Sequence, residues 1–281
     1  VDLRTALATE NLSVAFGGIS AVRSVTLSVA PGEIVGLIGP NGAGKTTLFD
    51  LVCGFTAVDS GQIRLHDVDI TGLSPSARAR AGLGRSFQDA RLFPGLTVTE
   101  TLATALERWI EAGDPITGAL RLPAGQLTEA AVARRVDELL DLFGLGALHS
   151  SRIAELSTGS RRMVDLACVV AHGPSVVLLD EPSSGIAQRE AEALAPLLVD
   201  LRRTLGATLV LIERDISLVS SIADRLVALD EGAVVTSGPP AAVLDHPEVV
   251  ASYLGTSSHT VRRSDHPARA ATEPLSPRGA P

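Results

Sequence analysis

The chain has 281 residues, 45% of them hydrophobic and 20% charged, which suits one or two folded domains and excludes wholesale disorder or a disulfide scaffold. Asp and Glu total 32 against 24 Lys and Arg, a formal charge of −8, which argues against non-specific coating of nucleic acid or of anionic membrane. The two cysteines, Cys53 and Cys168, fit a reducing compartment.

Mean hydropathy is +0.27, yet Gly, Pro, His or a charge interrupts every apolar stretch well before the roughly 20 residues of a membrane span. Val1-Asp2-Leu3-Arg4 lacks the basic-then-apolar layout of a secretory signal, so a cytoplasmic protein is expected. Lys45 is the single lysine. In a chain this biased toward Arg, a lysine marks a place where a planar guanidinium fork does not serve.

In chain order, Glu33 to Ile38 is a short apolar, β-branched run that predicts a strand, and Thr46 to Cys53 predicts a helix stopped by Gly54. Between them Gly39-Pro40-Asn41-Gly42-Ala43-Gly44-Lys45-Thr46 fits the phosphate-binding loop in the strand–loop–helix context that pattern needs. The glycines let backbone N–H groups turn around phosphate oxygens, and the helix N-terminus adds a favourable dipole. Lys45 supplies a point charge for β- and γ-phosphates, and the Thr46 hydroxyl is placed for Mg²⁺.

Thr97 and Glu100 form a capping-box pattern before Leu102 and Leu106, and Val132, Val136, Leu139 and Phe143 recur at helical spacing. Both stripes read as packing faces, separated by a Pro- and Gly-bearing loop from Gly113 to Gln126. Ser157 precedes a helical stretch, Arg161 to His172, and could present its hydroxyl and the following amides to a second phosphate. Ser175-Val176-Val177-Leu178-Leu179-Asp180-Glu181 reads as a parallel strand buried on both faces, with its acidic pair at the carboxyl end where ligands of open α/β sheets gather. Asp180 would hold the metal's water shell and Glu181 would polarise an attacking water. The tail from Thr256 to Pro281 has almost no large apolar residue and is expected to be disordered.

These blocks, in this order, resemble the ABC-type ATP-binding cassette over roughly residues 8 to 255, with Leu156-Ser157-Thr158-Gly159-Ser160 similar to the family's signature motif. The resemblance implies an α/β fold: a RecA-like P-loop core, an N-terminal antiparallel β subdomain, and a helical subdomain inserted at about 89–162. It implies ATP and Mg²⁺ as ligands, with nucleotide contacts from Phe16, Val22, Gly39, Pro40, Asn41, Gly42, Ala43, Gly44, Lys45, Thr46 and Thr47. Ser157 and Gly159 would face ATP held by a second cassette, in a head-to-tail dimer. Phe16 matches the aromatic that stacks on adenine, for which any π-face suffices. Gln88 resembles the glutamine that touches Mg²⁺ and water and reports to transmembrane permease subunits; Thr46, Gln88 and Asp180 would be the metal ligands.

The Gly113–Gln126 insertion, Arg91-Leu92-Phe93, and Phe16-Gly17-Gly18-Ile19-Ser20-Ala21-Val22 look most like ATP-binding subunits of bacterial branched-chain amino acid importers. That resemblance implies a subunit at the inner face of the cell membrane, attached only through the permease, with no nucleic-acid partner. Three positions depart from the pattern. Arg214, in Leu211-Ile212-Glu213-Arg214-Asp215, stands where the family has a His; Ala187 stands where it has Asp or Asn; Ser160 replaces a Gln. A guanidinium donates but can neither accept a hydrogen bond nor relay a proton. These departures predict ATP binding with attenuated hydrolysis, since one positioned acid–base group is worth on the order of 10²- to 10⁴-fold. The competing reading makes Arg214 an arginine finger in place. Two alternatives to a working transporter ATPase stay open: a non-hydrolysing nucleotide-dependent binding module, and the degenerate half of a heterodimeric pair. A DNA-maintenance ATPase of the same superfamily would carry a long coiled coil or a second cassette, and neither is present.

Overall fold

The computed structural model describes residues 5–87, 92–106, 123–186 and 188–253. Two sheets organise them. The N-terminal hairpin β1 (Leu7–Phe16) and β2 (Ile19–Val29) joins β4 (Ser60–Leu65) and β5 (Val68–Asp69) in an antiparallel sheet of order β2-β1-β4-β5. The second sheet has the order β10-β9-β3-β8-β7-β6. It contains β3 (Ile34–Ile38), β6 (Leu83–Arg85), β7 (Val176–Asp180), β8 (Thr208–Ile212), β9 (Arg225–Asp230) and β10 (Ala233–Gly238). All its pairings are parallel except the edge pair β9–β10.

The central strands β3, β7 and β8 are buried at every residue, as an unalternating apolar run predicts for a sheet covered on both faces. Alternate side chains feed two separate cores. Ile34 and Ile38, Val177 and Leu179, and Leu209 and Leu211 join the helical side. Val35 and Leu37, Val176 and Leu178, and Val210 and Ile212 join the side roofed by the antiparallel sheet and by α1 (Lys45–Cys53). The period-2 geometry of a strand therefore welds the layers together through single short segments.

After α2 (Pro75–Arg80) and β6 the chain leaves the sheet, and β7 returns beside β6 with Leu83 opposite Val176. The excursion carries α3 (Val98–Leu106), α4 (Pro123–Leu142), 3-10 turns at Gly146–Leu148 and Ile153–Glu155, and α5 (Thr158–Ala171). The capping box before α3 forms: Thr97 N–H donates to Glu100 Oε2 at 2.8 Å and Glu100 N–H to Thr97 Oγ1 at 3.2 Å. Val136, Leu139 and Phe143 are buried with Val98 and Leu102, so both predicted stripes are packing faces. The expected loop from Gly113 to Gln126 lies outside the described residues up to 122, but Pro123–Gln126 opens α4 instead. Proline is suited to a first helical turn, where its missing N–H has no intrahelical partner to lose. Beyond β7 come α6 (Gln188–Leu205), α7 (Ile216–Ile222), α8 (Pro240–Leu244) and a last helical segment at 247–253. No described helix is long and apolar enough to cross a membrane.

Candidate functional site

The phosphate loop leaves the end of β3 and enters α1 through three glycines at positive φ: Gly39 at 148°, Gly42 at 84° and Gly44 at 93°. Space enforces glycine at two of them. A Cβ on Gly39 would collide with the Leu229 carbonyl, and one on Gly44 with the Ala21 carbonyl. The β9–β10 turn closes the frame, Gly232 N–H donating to Ala43 O at 3.1 Å and the Gly232 carbonyl accepting Arg23 N–H at 2.7 Å. Gly44 caps α1 without a side-chain hydrogen bond, leaving the first amides of the helix to an anion. Lys45 Nζ arches over the loop to Gly39 O at 2.7 Å and Pro40 O at 2.9 Å, its pKa lowered by burial against the opposing pull of Glu181. Thr46 and Asn41 are exposed and Thr47 half-buried, while Ala43 is buried behind the loop.

The acidic pair sits at the carboxyl end of β7, two strands from β3. Asp180 is buried. Burial raises its pKa, and the Arg85 guanidinium, 3.4 Å away at Nη2, opposes that rise. Arg85 is itself anchored on Asp50 of α1 at 2.6 Å and stacks 4.9 Å from the Phe87 ring centre. Glu181 takes φ 47°, a left-handed conformation that costs a side chain about 1–3 kcal/mol and clusters at functional sites. Its N–H is held by Ile212 O at 2.9 Å. Arg214 Nε donates to Glu181 Oε1 at 2.7 Å, with the Arg214 side chain 62% exposed and that of Glu181 only 11%. The residue replacing the family's His is thus paired with the candidate base.

Ser157 caps α5, its Oγ accepting Ser160 N–H at 3.0 Å, and is exposed, whereas Gly159 is buried against the helix's packing face. Phe16 is 51% exposed at the tip of the β1–β2 hairpin, paired with Ile19. Ala21 of β2 lies against Gly44, so this hairpin borders the loop. Val22, expected at the nucleotide, is 1% exposed and belongs to the core of the antiparallel layer. Gln88, Ala187 and the tail from Thr256 lie outside the described residues. The Cys53 and Cys168 thiols are pushed by burial to about 11 and about 12, so neither serves as a nucleophile near neutral pH.

Two functional residues escape the sequence reading. Arg162 of α5 is buried, with Nη2 donating to Asp180 O at 2.8 Å and Glu181 O at 3.2 Å, and Nη1 to Phe87 O. One guanidinium therefore ties the signature helix to the acidic pair and to the residue before Gln88. Its signal was available: Gly159, Arg162, Leu166 and Val170 recur at helical spacing and are all buried, so a charge stands in an apolar stripe. Glu213 is also buried. It accepts Ser183 N–H and Oγ–H, each at 2.8 Å, and Arg214 N–H at 3.0 Å.

The family profile described as ABC transporter matches residues 22–184. The high-affinity branched-chain amino acid transport ATP-binding protein LivG of Escherichia coli (strain K12) is 35% identical over 249 residues, 89% of this chain and 97% of that protein. BraF of Pseudomonas aeruginosa, of the same description, is 35% identical over 252 residues, 90% and 98% of the two chains. A crystal structure of a nucleotide-free ATP-binding cassette from an ABC transporter superposes with TM-score 0.75 at 26% identity, covering 89% of this chain and 98% of that one. The chain belongs to the ABC transporter family as an ATP-binding cassette of the ABC ATPase type.

Proposed function

We propose that this cassette powers or gates a membrane importer of branched-chain amino acids or a similar small solute, with hydrolysis attenuated by Arg214 and Ala187. Similarity to LivG and BraF over nearly the whole of those proteins supports the solute class. Two cassettes would pair head to tail, with ATP between Lys45 and the α1 amides of one and Ser157 of the other. The donor set fits the expected metal: a free hydroxyl at Thr46 and one buried carboxylate at Asp180, with Gln88 as a further ligand. Such sparse protein ligation suits Mg²⁺, which keeps waters and phosphate oxygens. Bound Mg²⁺ would neutralise developing phosphate charge. Lys45 would turn from the Gly39 and Pro40 carbonyls to the phosphates, and Glu181 would hold the attacking water. The chain would meet the membrane only through permease subunits.

The attenuation reading is carried by the 2.7 Å pair between Arg214 Nε and Glu181 Oε1. A permanently charged donor occupies one of the two carboxylate oxygens that could receive the water's proton, and cannot itself accept that proton. The arginine-finger reading is favoured by the exposure of Arg214, whose 62% exposed guanidinium side chain stays largely solvated and is free to swing from Glu181 toward a phosphate. Mg·ATP binding and steady-state phosphate release, alone and with the permease, separate the two. Arg214→His is expected to raise turnover in the assembled complex, and Glu181→Gln to abolish it while ATP still binds. A fall in turnover for Arg214→His favours the finger, and binding without any release by the parent chain favours a non-hydrolysing module or a degenerate half-site.

A further inference from the structure

The entry to the phosphate loop is held from a part of the chain that no loop motif includes. Gly39 N–H donates to the hydroxyl of Tyr253 at 2.8 Å, across 214 residues of sequence. Tyr253 is the single tyrosine of the chain and lies in the helical segment 247–253, which the buried Val249 anchors in the helical-side core. Its ring packs, half-buried, against that same core, and burial raises the hydroxyl's pKa, keeping it a neutral acceptor.

Gly39 is where rigid strand becomes phosphate cradle. Its backbone is at φ 148° and crowded by the Leu229 carbonyl, and glycine's soft dihedrals leave its orientation to its hydrogen bonds. Two side chains make them, one on each side: Tyr253 takes the N–H, and Lys45 donates to the carbonyl at 2.7 Å. The second hold is temporary, because Lys45 must leave that carbonyl to reach a phosphate. Tyr253 makes the hold that persists when the lysine is redeployed.

We propose that Tyr253 is a positioning residue of the nucleotide site, its hydroxyl presetting the loop at Gly39 so that docking of the 247–253 helix is coupled to ATP affinity. The proposal rests on residues 39–47 being the nucleotide site. It deepens that reading by making the C-terminal helix part of the binding machinery. Without the hydroxyl the freed loop must be re-set each time nucleotide binds, and the most this takes from affinity is the worth of one neutral hydrogen bond, about three- to tenfold.

The test uses the full chain, titrated with Mg·ATP by calorimetry, and its nucleotide-free melting temperature. Tyr253→Phe removes only the hydroxyl. Expected is a three- to tenfold rise in the dissociation constant with a melting temperature no more than about 5 °C below the parent. Tyr253→Leu, which also removes the ring, should lower the melting temperature as well. Parent-like affinity for Tyr253→Phe overturns the proposal, as does an affinity loss matched by a general loss of stability. Amide exchange in the parent chain gives a check that needs no variant. Gly39 N–H should stay protected with and without ATP, and free exchange in the loaded chain overturns the proposal. A parent chain that takes up no Mg·ATP removes the nucleotide site and this inference together, whereas binding by the parent with no effect of Tyr253→Phe removes this inference alone.

Discussion

Replacing Arg162 by Met tests how the site is held together, because it keeps an apolar stem of similar length and removes only the guanidinium fork. Three carbonyls accept from that fork, those of Phe87, Asp180 and Glu181. They do not lose equally. Glu181 O keeps Ser184 N–H at 3.0 Å, so the burden falls on Phe87 O and Asp180 O. Each orphaned buried acceptor costs about 1–3 kcal/mol, and removing a desolvated charge returns part of that, so a net loss of about 2–4 kcal/mol is expected. For a domain of this size each kcal/mol moves the melting temperature by about 2–4 °C, which predicts a fall of roughly 5–15 °C. Turnover should fall further than ATP affinity, because the freed carbonyls belong to the acidic pair and the loop before Gln88, not to the phosphate cradle. Arg161→Met is the control. Arg161 is exposed and makes a 3.0 Å bond to Leu156 O, and its loss should cost under about 1 kcal/mol. Equal effects at 161 and 162, or a melting temperature for Arg162→Met within 2 °C of the parent, would refute the view that this guanidinium organises the site.

Asp165, one turn further along α5, is pushed by burial to about 6, with Arg162 at 3.9 Å opposing the rise. A folded pKa above the unfolded value means that the carboxyl's favourable contribution is complete below pH 4 and is lost as the pH rises through 6. Asp165→Asn should therefore raise the melting temperature at pH 8, by the equivalent of about 1–3 kcal/mol, and have little effect at pH 4; thermal scans at the two pH values check this, and equal stabilisation at both defeats it. Phe16→Ala should weaken ATP binding by about tenfold through lost stacking and leave the melting temperature nearly unchanged, since the ring is half exposed; an unaltered affinity would place the adenine elsewhere.

What could be read from the sequence is what backbone chemistry dictates locally. Gly39, Gly44 and Lys45 are recognisable because a phosphate cradle needs positive φ, close approach and one flexible cation within eight residues. The same holds for Val176 to Asp180, where unalternating apolar residues already imply burial on both faces and an acidic end. Arg162 and Tyr253 were not legible on those terms. Each acts on a carbonyl or an amide far away in sequence; helical spacing marks Arg162, unlike its exposed neighbour Arg161, as a charge in an apolar stripe, but not which carbonyls it meets. Val22, expected beside the nucleotide by resemblance, is buried in the antiparallel layer ahead of a register shift at Ser24 (φ 48°), after which Val25, Leu27 and Val29 alternate inward. Pro123–Gln126 reads as loop from its Pro and Gly, yet a proline at the first turn is as compatible with a helix start as with a break.

The arrangement around Glu213 bears on how the departure at position 214 should be understood. The buried carboxylate grips the backbone N–H of Arg214 and both donors of Ser183, so the main chain at 214 and the loop after Glu181 are fixed as one unit without help from the Arg214 side chain. That side chain projects into solvent and makes its bond to Glu181 as an addition to a completed scaffold. A change of side chain at 214 therefore alters what the base is paired with and leaves where the base stands to Ile212, Arg162 and Glu213. The share of the attenuation that Arg214 carries is on this account a property of one exposed guanidinium rather than of a displaced base, and for the same reason Arg214→His should change turnover with little change in folding stability.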